Sequence, residues 1–378
     1  MPQPPQQEQR TRCQRRQDFL MKNVLPIGFF VVLVWALLWP LPGERASKPE
    51  VQGFRVVSTI NILVIFIISG LTLKTDDIAN SSAWLGFTYG VFAILVLTPC
   101  AGFAAAELPF EDHEFSYGLA VFCVVPTTLT SGVTLVMQAG GNDVLALLLT
   151  VTTNLLGVVT VPFFVKAVVG ARGANIDAVS LLVKLVIMVL IPLIVGKLVR
   201  EVTPGAKAWI KKYKKRLSLT SSLMLIMVVW QTLSRAKDDL TSVTFEQIIS
   251  VIAAGIALHI LYLCVNYTLC TMLGLGRREF KAAVLMSSQK TLSVPVTVIS
   301  FLGSLGQEGL MTLPCIVGHM SQLFIDAYIS SRWAAEDQRQ NSRVASAPED
   351  DADKGNTKDT MGSTPEATGH DSQEAAQV

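Results

Sequence analysis

Two short polar runs interrupt otherwise apolar stretches of the chain, and both contain side chains that can bind ions. The first, PTTLTSG at residues 126–132, holds a proline, a glycine and four hydroxyl residues. The second, SSQKTLSVP at residues 287–295, adds an amide and a lysine. Proline removes a backbone donor, so each run predicts a helix that is broken in the middle. Half-helix N-termini attract anions and freed carbonyls ligate cations, which predicts a site with capacity for both.

The side chains of these runs supply most of the candidate binding residues. Any single hydroxyl could instead bond to its own helix or join neighbouring helices. Matching runs at equivalent places favour a binding site over simple packing. The candidates are Thr127, Thr128, Thr130, Ser131, Ser287, Ser288, Gln289, Lys290 and Thr291.

Lys290 is the charged member of the second run and is predicted to lie in the middle of a membrane span. A charge at that depth costs about 2.5–3.5 kcal/mol on insertion scales and needs a partner. The partner is either an anionic substrate or a structural contact with a carbonyl or carboxylate.

A polar stripe is predicted on the last apolar segment. His319, Gln322 and Asp326 follow one another at helical spacing and therefore share one face. His319 and Asp326 are candidate substrate or ion ligands. Asp326 could balance the charge of Lys290, exchange protons with His319, or take a capping or interfacial role near the end of its helix.

The elements that position these residues are predicted to be membrane-spanning helices. Of the 378 residues, 51% are hydrophobic and 16% charged, against roughly 25% charged in soluble domains. A bilayer core of ~30 Å takes about 20 apolar residues per helix. Ten segments qualify, near 23–40, 56–73, 83–106, 116–139, 143–168, 178–199, 217–233, 246–273, 280–303 and 310–331. The net charge of +2 does not favour nucleic-acid binding, and the six cysteines form no Cys-x-x-Cys pair.

The ten segments form two related halves. A shift of 163 positions places the first five on the last five and aligns residues 128–134 with residues 291–297. Because each half has an odd number of spans, the second half enters the membrane in the opposite orientation, as in many secondary transporters. The predicted organisation is a basic segment at 1–22, five-helix repeats at 23–172 and 173–334, and a disordered tail at 335–378.

The distribution of lysine and arginine predicts that both termini are cytoplasmic. With that orientation, 17 of these residues face inside and seven face outside. The N-terminal segment has no small-residue cleavage signal. A plasma or internal membrane is therefore expected, with the plastid envelope as the alternative.

The chain resembles the bile acid:sodium symporter superfamily, in the branch that includes animal solute carrier family 10 member seven and plant plastid sodium/metabolite cotransporters. The likeness covers about residues 20–334. It is carried by SGLTLKT at 69–75, by the first run with GGN at 140–142, and by SSQKTL at 287–292 with LPC at 313–315.

The resemblance implies a ten-helix fold in which a panel of spans one, two, six and seven faces a core of the other six, with the two broken helices crossing. It also implies sodium binding at Ser131, Thr150 and Gln289. This sequence departs from the family's sodium-binding pattern at Gly132 and Ala146. The acidic ligand that the family has in the ninth span is also absent here, since the nearest carboxylate is Glu279. Lys290 would then stand in for the ion and pair with an anionic substrate.

These features predict a secondary active carrier for a small organic anion or metabolite, coupled to sodium or protons and working by alternating access around the two breaks. A membrane regulator of calcium homeostasis that is not an enzyme is the alternative. No nucleophile elbow or zinc-binding helix is present in the sequence, so we expect no enzymatic activity and no cofactor beyond a sodium ion.

Overall fold

The computed structural model describes residues 24–51, 54–73, 84–128, 131–171 and 175–345, without the side chains of residues 304, 341 and 343–345. The chain divides into two compact units, Met1–Ala335 and Glu336–Val378. The predicted N-terminal segment 1–22, the candidate residue Thr130 and residues 346–378 of the predicted tail lie outside the described residues.

The first half of the chain is helical apart from one short hairpin. Its strands, β1 and β2, pair antiparallel before α3 begins. The elements are α1 (Val24–Leu38), α2 (Leu41–Ser47), β1 (Glu50–Val51), β2 (Phe54–Arg55), α3 (Val56–Thr72), α4 (Trp84–Phe92), α5 (Ala101–Ala106), α6 (His113–Val124), α7 (Ser131–Gln138) and α8 (Asp143–Gly170). A π-helical turn at Ala93–Leu97 follows α4.

The second half is helical throughout its described residues. A second π-helical turn, Val186–Leu190, separates its first two helices, and a 3-10 turn, Gly303–Leu305, precedes the last. The elements are α9 (Ala178–Leu185), α10 (Ile191–Val202), α11 (Ala206–Arg235), α12 (Lys237–Ser242), α13 (Phe245–Met272), α14 (Arg277–Ser288), α15 (Ser293–Ile299) and α16 (Glu308–Ala345).

Many of these helices are long and apolar enough to cross a membrane. Within the described residues, seven stretches qualify by length and composition, or eight if the bent pair α1 and α2 is one span. The helix α3 is apolar but shorter. The mostly helical, apolar architecture agrees with the predicted integral membrane class, whereas ten spans and an inverted repeat remain predictions.

Two helices extend beyond the predicted apolar spans. The basic residues between the predicted spans 178–199 and 217–233 are helical except at residues 203–205, where Gly205 adopts a φ of +78° between α10 and α11. The boundary of the predicted tail at 335 lies inside α16, which continues to Ala345. Charged and polar residues extend both helices beyond the apolar segments that marked the spans.

The helices pack in two groups. In the panel, α3 lies against α10 and α11, and α11 lies against α1. A Cβ on Gly70 of α3 would lie 2.1 Å from the Leu193 carbonyl oxygen, so only glycine permits this close helix crossing. In the core, α14 packs against α4, α8 and α13. The most apolar part of the broken span, α14 with α15, is completely buried, and the core thus encloses the second polar run.

Candidate functional site

Both polar runs are breaks between helices, as predicted. The first break follows Val124, where Val125 adopts an extended conformation (φ −79°, ψ 157°) ahead of Pro126. A residue before proline is pushed toward this region by the proline ring. The second break follows Ser288, and Gln289 is likewise extended (φ −85°, ψ 147°) before α15 starts at Ser293. Each break leaves backbone groups without partners in their own helix.

The two breaks contact each other directly. The backbone N–H of Thr291 donates to the Pro126 carbonyl oxygen over 3.0 Å. The Thr128 hydroxyl donates to Gln289 Oε1 over 2.7 Å and accepts the Gly132 N–H at 2.8 Å. A Cβ at position 132 would lie 2.5 Å from Thr128 Oγ1 and 2.7 Å from Gln289 Oε1. Glycine at this position is therefore required for the junction to close.

Lys290 is fully buried at this junction, and its ammonium group is solvated by oxygen atoms of the core. Lys290 Nζ donates to Thr98 Oγ1 at 2.9 Å and to the carbonyl oxygens of Val125 at 3.0 Å and Ile94 at 3.4 Å. It also lies 5.7 Å from the centroid of the Tyr262 ring. Among the described residues no carboxylate forms an ion pair with it. The alternative in which Asp326 pairs with Lys290 is therefore not observed.

The π-helical turn explains why the Ile94 carbonyl is available to Lys290. The Thr98 N–H bonds to the Ala93 carbonyl, five residues back, at 2.9 Å. The next residue is Pro99, which has no N–H to donate. Pro99 therefore offers no backbone donor to the Ile94 oxygen, which receives the Thr98 hydroxyl and Lys290 Nζ, each at 3.4 Å. The sequence signal for this contact is the Thr98-Pro99 pair inside an apolar span.

The backbone of Lys290 is held by the polar face of α16. Gln322 Oε1 accepts the Lys290 N–H at 2.9 Å, and Gln322 Nε2 donates back to the Lys290 carbonyl oxygen. His319 Nδ1 lies 3.1 Å from the same oxygen. The predicted stripe therefore does reach the second break, through His319 and Gln322.

Asp326 has different partners from those predicted. Its Oδ2 accepts from Gln289 Nε2 at 2.7 Å, and its Oδ1 lies 2.9 Å from His259 Nε2. Asp326 is completely buried inside α16, so it neither caps a helix nor lies at an interface, and no hydrogen bond joins its side chain to Lys290 or His319 among the described residues. The sequence reasoning missed His259. Its signal was a lone imidazole in the middle of the long apolar helix α13.

The remaining predicted ligands are buried around the breaks, except Ser131, which is half-buried. Thr150 donates to its own helix at the Ala146 carbonyl oxygen over 2.8 Å. Asn154 connects Thr150 to the first break, because its Nδ2 lies 2.8 Å from the Thr150 carbonyl oxygen and 3.2 Å from that of Thr127. No hydrogen bond joins Ser131, Thr150 and Gln289 in the described part of the chain.

Four further hydroxyls of the predicted site have contrasting environments. Ser288 Oγ accepts from Asn266 Nδ2 at 3.2 Å, and the Thr291 hydroxyl lies 3.2 Å from that of Ser293. The Ser287 hydroxyl, like that of Thr127, is buried without a hydrogen-bond partner among the described residues. Unpaired buried hydroxyls are costly, and these two lie beside the breaks, where a bound ion or molecule could satisfy them.

Comparison with known proteins identifies the family. A family model described as the SBF-like CPA transporter family matches residues 23–335. The "Probable sodium/metabolite cotransporter BASS4, chloroplastic" of Oryza sativa subsp. indica is 36% identical over 334 residues, covering 85% of this chain and 78% of that protein. Its namesake in Arabidopsis thaliana is 36% identical over 340 residues, covering 87% and 77%. "Sodium/bile acid cotransporter 7-B" of Xenopus laevis is 26% identical over 323 residues, covering 82% and 91%.

These relatives are named as cotransporters rather than enzymes, and they favour a carrier over the alternative of a calcium regulator. The match agrees with the resemblance drawn from the polar runs. Together with the apolar helices, it shows a multi-pass membrane transporter. The chain belongs to the SBF-like CPA transporter family.

Proposed function

We propose that this protein is a secondary active transporter that moves a small organic anion or metabolite by alternating access around the two breaks. The observation that carries the proposal is the fully buried Lys290 at the junction of the breaks, with no carboxylate partner among the described residues. In its protonated form, Lys290 would place a positive charge behind the junction. An anion bound at the breaks would complete the charge balance.

The proposed binding surface is the side of the junction that faces the panel. The ammonium group itself contacts residues of the core, so it acts on an anion through space rather than as a direct ligand. The short helix α15 packs against α3, α9 and α11 of the panel. Movement of the core against the panel would expose this face to one side of the membrane and then to the other, as an inverted repeat permits.

Sodium is the proposed coupling ion, since the relatives are named as sodium cotransporters. A hard cation prefers oxygen ligands. Gln289 Oε1, the Thr128 hydroxyl and the Asp326 carboxylate form a cluster of such oxygens, and Asp326 supplies the acid that the ninth span lacks. Gln289 is the one resemblance-derived ligand in this cluster, while Ser131 and Thr150 lie outside it.

Both termini are proposed to be cytoplasmic, and the membrane is the plasma or an internal membrane, or the plastid envelope. The plant relatives are named as chloroplastic, which supports the last choice. Fluorescent tagging of the full chain in its own cells would distinguish these membranes.

Uptake into proteoliposomes tests the transport proposal. Purified full-length protein is reconstituted, and uptake of labelled acetate, lactate, malate and citrate is measured with and without an inward sodium gradient. We expect concentrative uptake of at least one anion that depends on the gradient. Folded protein that moves none of them under any ion gradient would contradict the proposal and revive the regulator alternative.

A further inference from the structure

The first turns of the panel helix α11 carry a dense group of basic side chains. Residues 206–216 contain six lysines and arginines and no acid. Lys207 pairs with Glu201 of α10 at 2.7 Å. In the part of the chain that the structure describes, no carboxylate pairs with the other five. These five residues form the basic cluster: Lys211, Lys212, Lys214, Lys215 and Arg216.

The packing of α11 turns the basic cluster away from the rest of the protein. Ala206 and Ile210, one turn apart, are buried and mark the face of the helix that packs against its neighbours. All five members of the basic cluster are exposed. Their charges are therefore available to a partner outside the chain.

The apolar residues that follow the basic cluster show what this side of α11 faces. Lys212, Arg216, Leu223 and Met227 are separated by four, seven and four residues, so they share one face of the helix. Leu223 is 45% exposed and Met227 is 37% exposed. Within a membrane span, an exposed apolar face contacts lipid chains. Arg216, two turns before Leu223 on the same face, therefore points toward the lipid headgroups.

The length of α11 places the basic cluster at the depth of those headgroups. Its 30 residues extend over roughly 45 Å, which exceeds the ~30 Å hydrocarbon core of a bilayer. The apolar part, from Leu217 to Ser234, is about 27 Å long and fills that core. Residues 211–216 continue for roughly another 9 Å, and the headgroup layer on each side is about 5–8 Å thick. The basic cluster thus lies in the layer that contains the lipid phosphates.

Two aromatic rings order part of the basic cluster. The ring centroids of Trp209 and Tyr213 are 5.1 Å apart. Lys212 Nζ lies 5.4 Å and Arg216 Cζ 5.3 Å from the centroid of the Tyr213 ring. Tryptophan and tyrosine are enriched at membrane–water interfaces, where an apolar ring with a polar edge is stable. The aromatic pair therefore agrees with an interfacial position and holds two cations beside one ring.

We propose that the basic cluster binds the phosphate groups of anionic membrane lipids. Lysines and arginines beside a membrane span strengthen the attraction to anionic lipids roughly fivefold per residue. A soluble phosphate carries similar charge, but the depth of the basic cluster and its continuity with a lipid-facing surface favour the bilayer as the source. Since α11 belongs to the panel, bound lipids would anchor the panel in one leaflet. This inference does not depend on the proposed transport function.

The same charges also favour retention of this end of α11 in the cytoplasm while the chain is inserted. That role is complete once the protein has folded, and it requires no bound lipid. Lipid added to purified, folded protein therefore separates lipid binding from the effect of these charges on topology.

The test is thermal unfolding of the full-length protein in a neutral detergent, titrated with phosphatidylglycerol, phosphatidylcholine or inorganic phosphate. We expect phosphatidylglycerol to raise the unfolding midpoint at lower concentration than phosphatidylcholine, and inorganic phosphate to leave the midpoint unchanged. K211Q/K212Q/K215Q should increase the half-saturating concentration of phosphatidylglycerol at least about tenfold, because three charges are lost. K211R/K212R/K215R keeps these charges and should respond as wild type does.

The matched control is R45Q/K48Q/K166Q, which removes three exposed cations outside the basic cluster. It should keep the wild-type response to phosphatidylglycerol, and a loss equal to that of K211Q/K212Q/K215Q would overturn the site in favour of net charge. An unchanged response in K211Q/K212Q/K215Q would also overturn it. Inorganic phosphate or phosphatidylcholine as effective as phosphatidylglycerol would exclude a site for anionic lipids.

Sodium chloride provides a second measurement that needs no variant. The shift that phosphatidylglycerol produces in the wild-type midpoint should shrink as salt is raised, because exposed charges are screened. A shift that is independent of salt would contradict binding through the basic cluster, even if K211Q/K212Q/K215Q failed to fold.

Discussion

The two breaks occupy equivalent positions in the predicted repeat and contribute different groups to the junction. The first break provides acceptors: the carbonyl oxygens of Val125 and Pro126 receive Lys290 Nζ and the Thr291 N–H. The second break provides the charge and most of the donors. At a shift of 163 positions, Thr127 corresponds to Lys290 and Pro126 to Gln289. The comparison teaches that two similar halves can produce a site by becoming complementary rather than by remaining alike.

The largest effect is expected when the charged side chain of the second break is replaced. K290M keeps the length of the side chain and should fold, but anion uptake should fall about 30- to 150-fold. A unit charge at roughly 6–8 Å in a medium of effective dielectric constant about 20 contributes about 2–3 kcal/mol. The initial rate of uptake at low anion concentration measures this loss. K166M, which changes an exposed lysine of α8, is the control and should stay near wild type. Equal losses in both variants would contradict a special role for the lysine.

Asp326 of α16 brings an acidic group into contact with the second break, where it accepts a hydrogen bond from Gln289. In D326N, the sodium concentration that half-saturates uptake should rise about tenfold, because a charged acceptor beside Gln289 becomes neutral. The measurement is sodium-dependent uptake, supported by the sodium dependence of the unfolding midpoint. H259Q removes the imidazole that contacts Asp326 but keeps the carboxylate. The sodium dependence of H259Q should therefore change less than that of D326N. A larger change in H259Q than in D326N would mean that packing, rather than the carboxylate charge, determines the sodium dependence.

Gly132 tests how closely the breaks fit. G132A places a methyl group within 3 Å of Thr128 Oγ1, Gln289 Oε1 and Met286 Sδ, and should lower the free energy of unfolding by about 1–3 kcal/mol. G170A is the matched control, since a Cβ there meets nothing within 4 Å. The unfolding midpoints of G132A and G170A measure this difference in stability. A G132A midpoint as high as that of G170A would mean that the junction is open in the membrane.

The smallest expected difference separates two equivalent threonines. Thr128 bonds across to Gln289, whereas the Thr291 hydroxyl contacts only Ser293 of its own break. T128V should destabilise the protein by about 1 kcal/mol and T291V by less, since only the first substitution removes a bond between the breaks. Parallel thermal unfolding curves are sufficient. If T291V proved the more damaging variant, the bond from Thr128 to Gln289 would not be an important link between the breaks.

The sequence predicted the breaks well and their contacts poorly, for physical reasons. Pro126 and the polar run around Lys290 are local signals, because proline geometry and the cost of a buried charge depend on little else. The partners of Lys290 are carbonyl oxygens, which every residue has, so no residue type marks them. Asp326 was found from helical spacing, but its partner His259 lies 67 positions away. Likewise, Arg55 Nη2 donates to Glu308 Oε1 at 2.6 Å, and no pattern connects these two residues, which only the packing of panel against core brings together.

The burial of the apolar part of α14 and α15 has a consequence for how the protein is made. The most apolar part of this span has a mean hydropathy of 1.2, the same as that of the last span, whereas the preceding span, Phe245–Met272, reaches 2.5 and is only 28% buried. A span with a central lysine partitions poorly into lipid by itself. During synthesis we therefore expect it to remain beside the translocon until it can pack against α13 and the later α16. Truncation of the chain before α16 would leave α14 and α15 without this packing partner, and such a fragment should be recognised by membrane quality control.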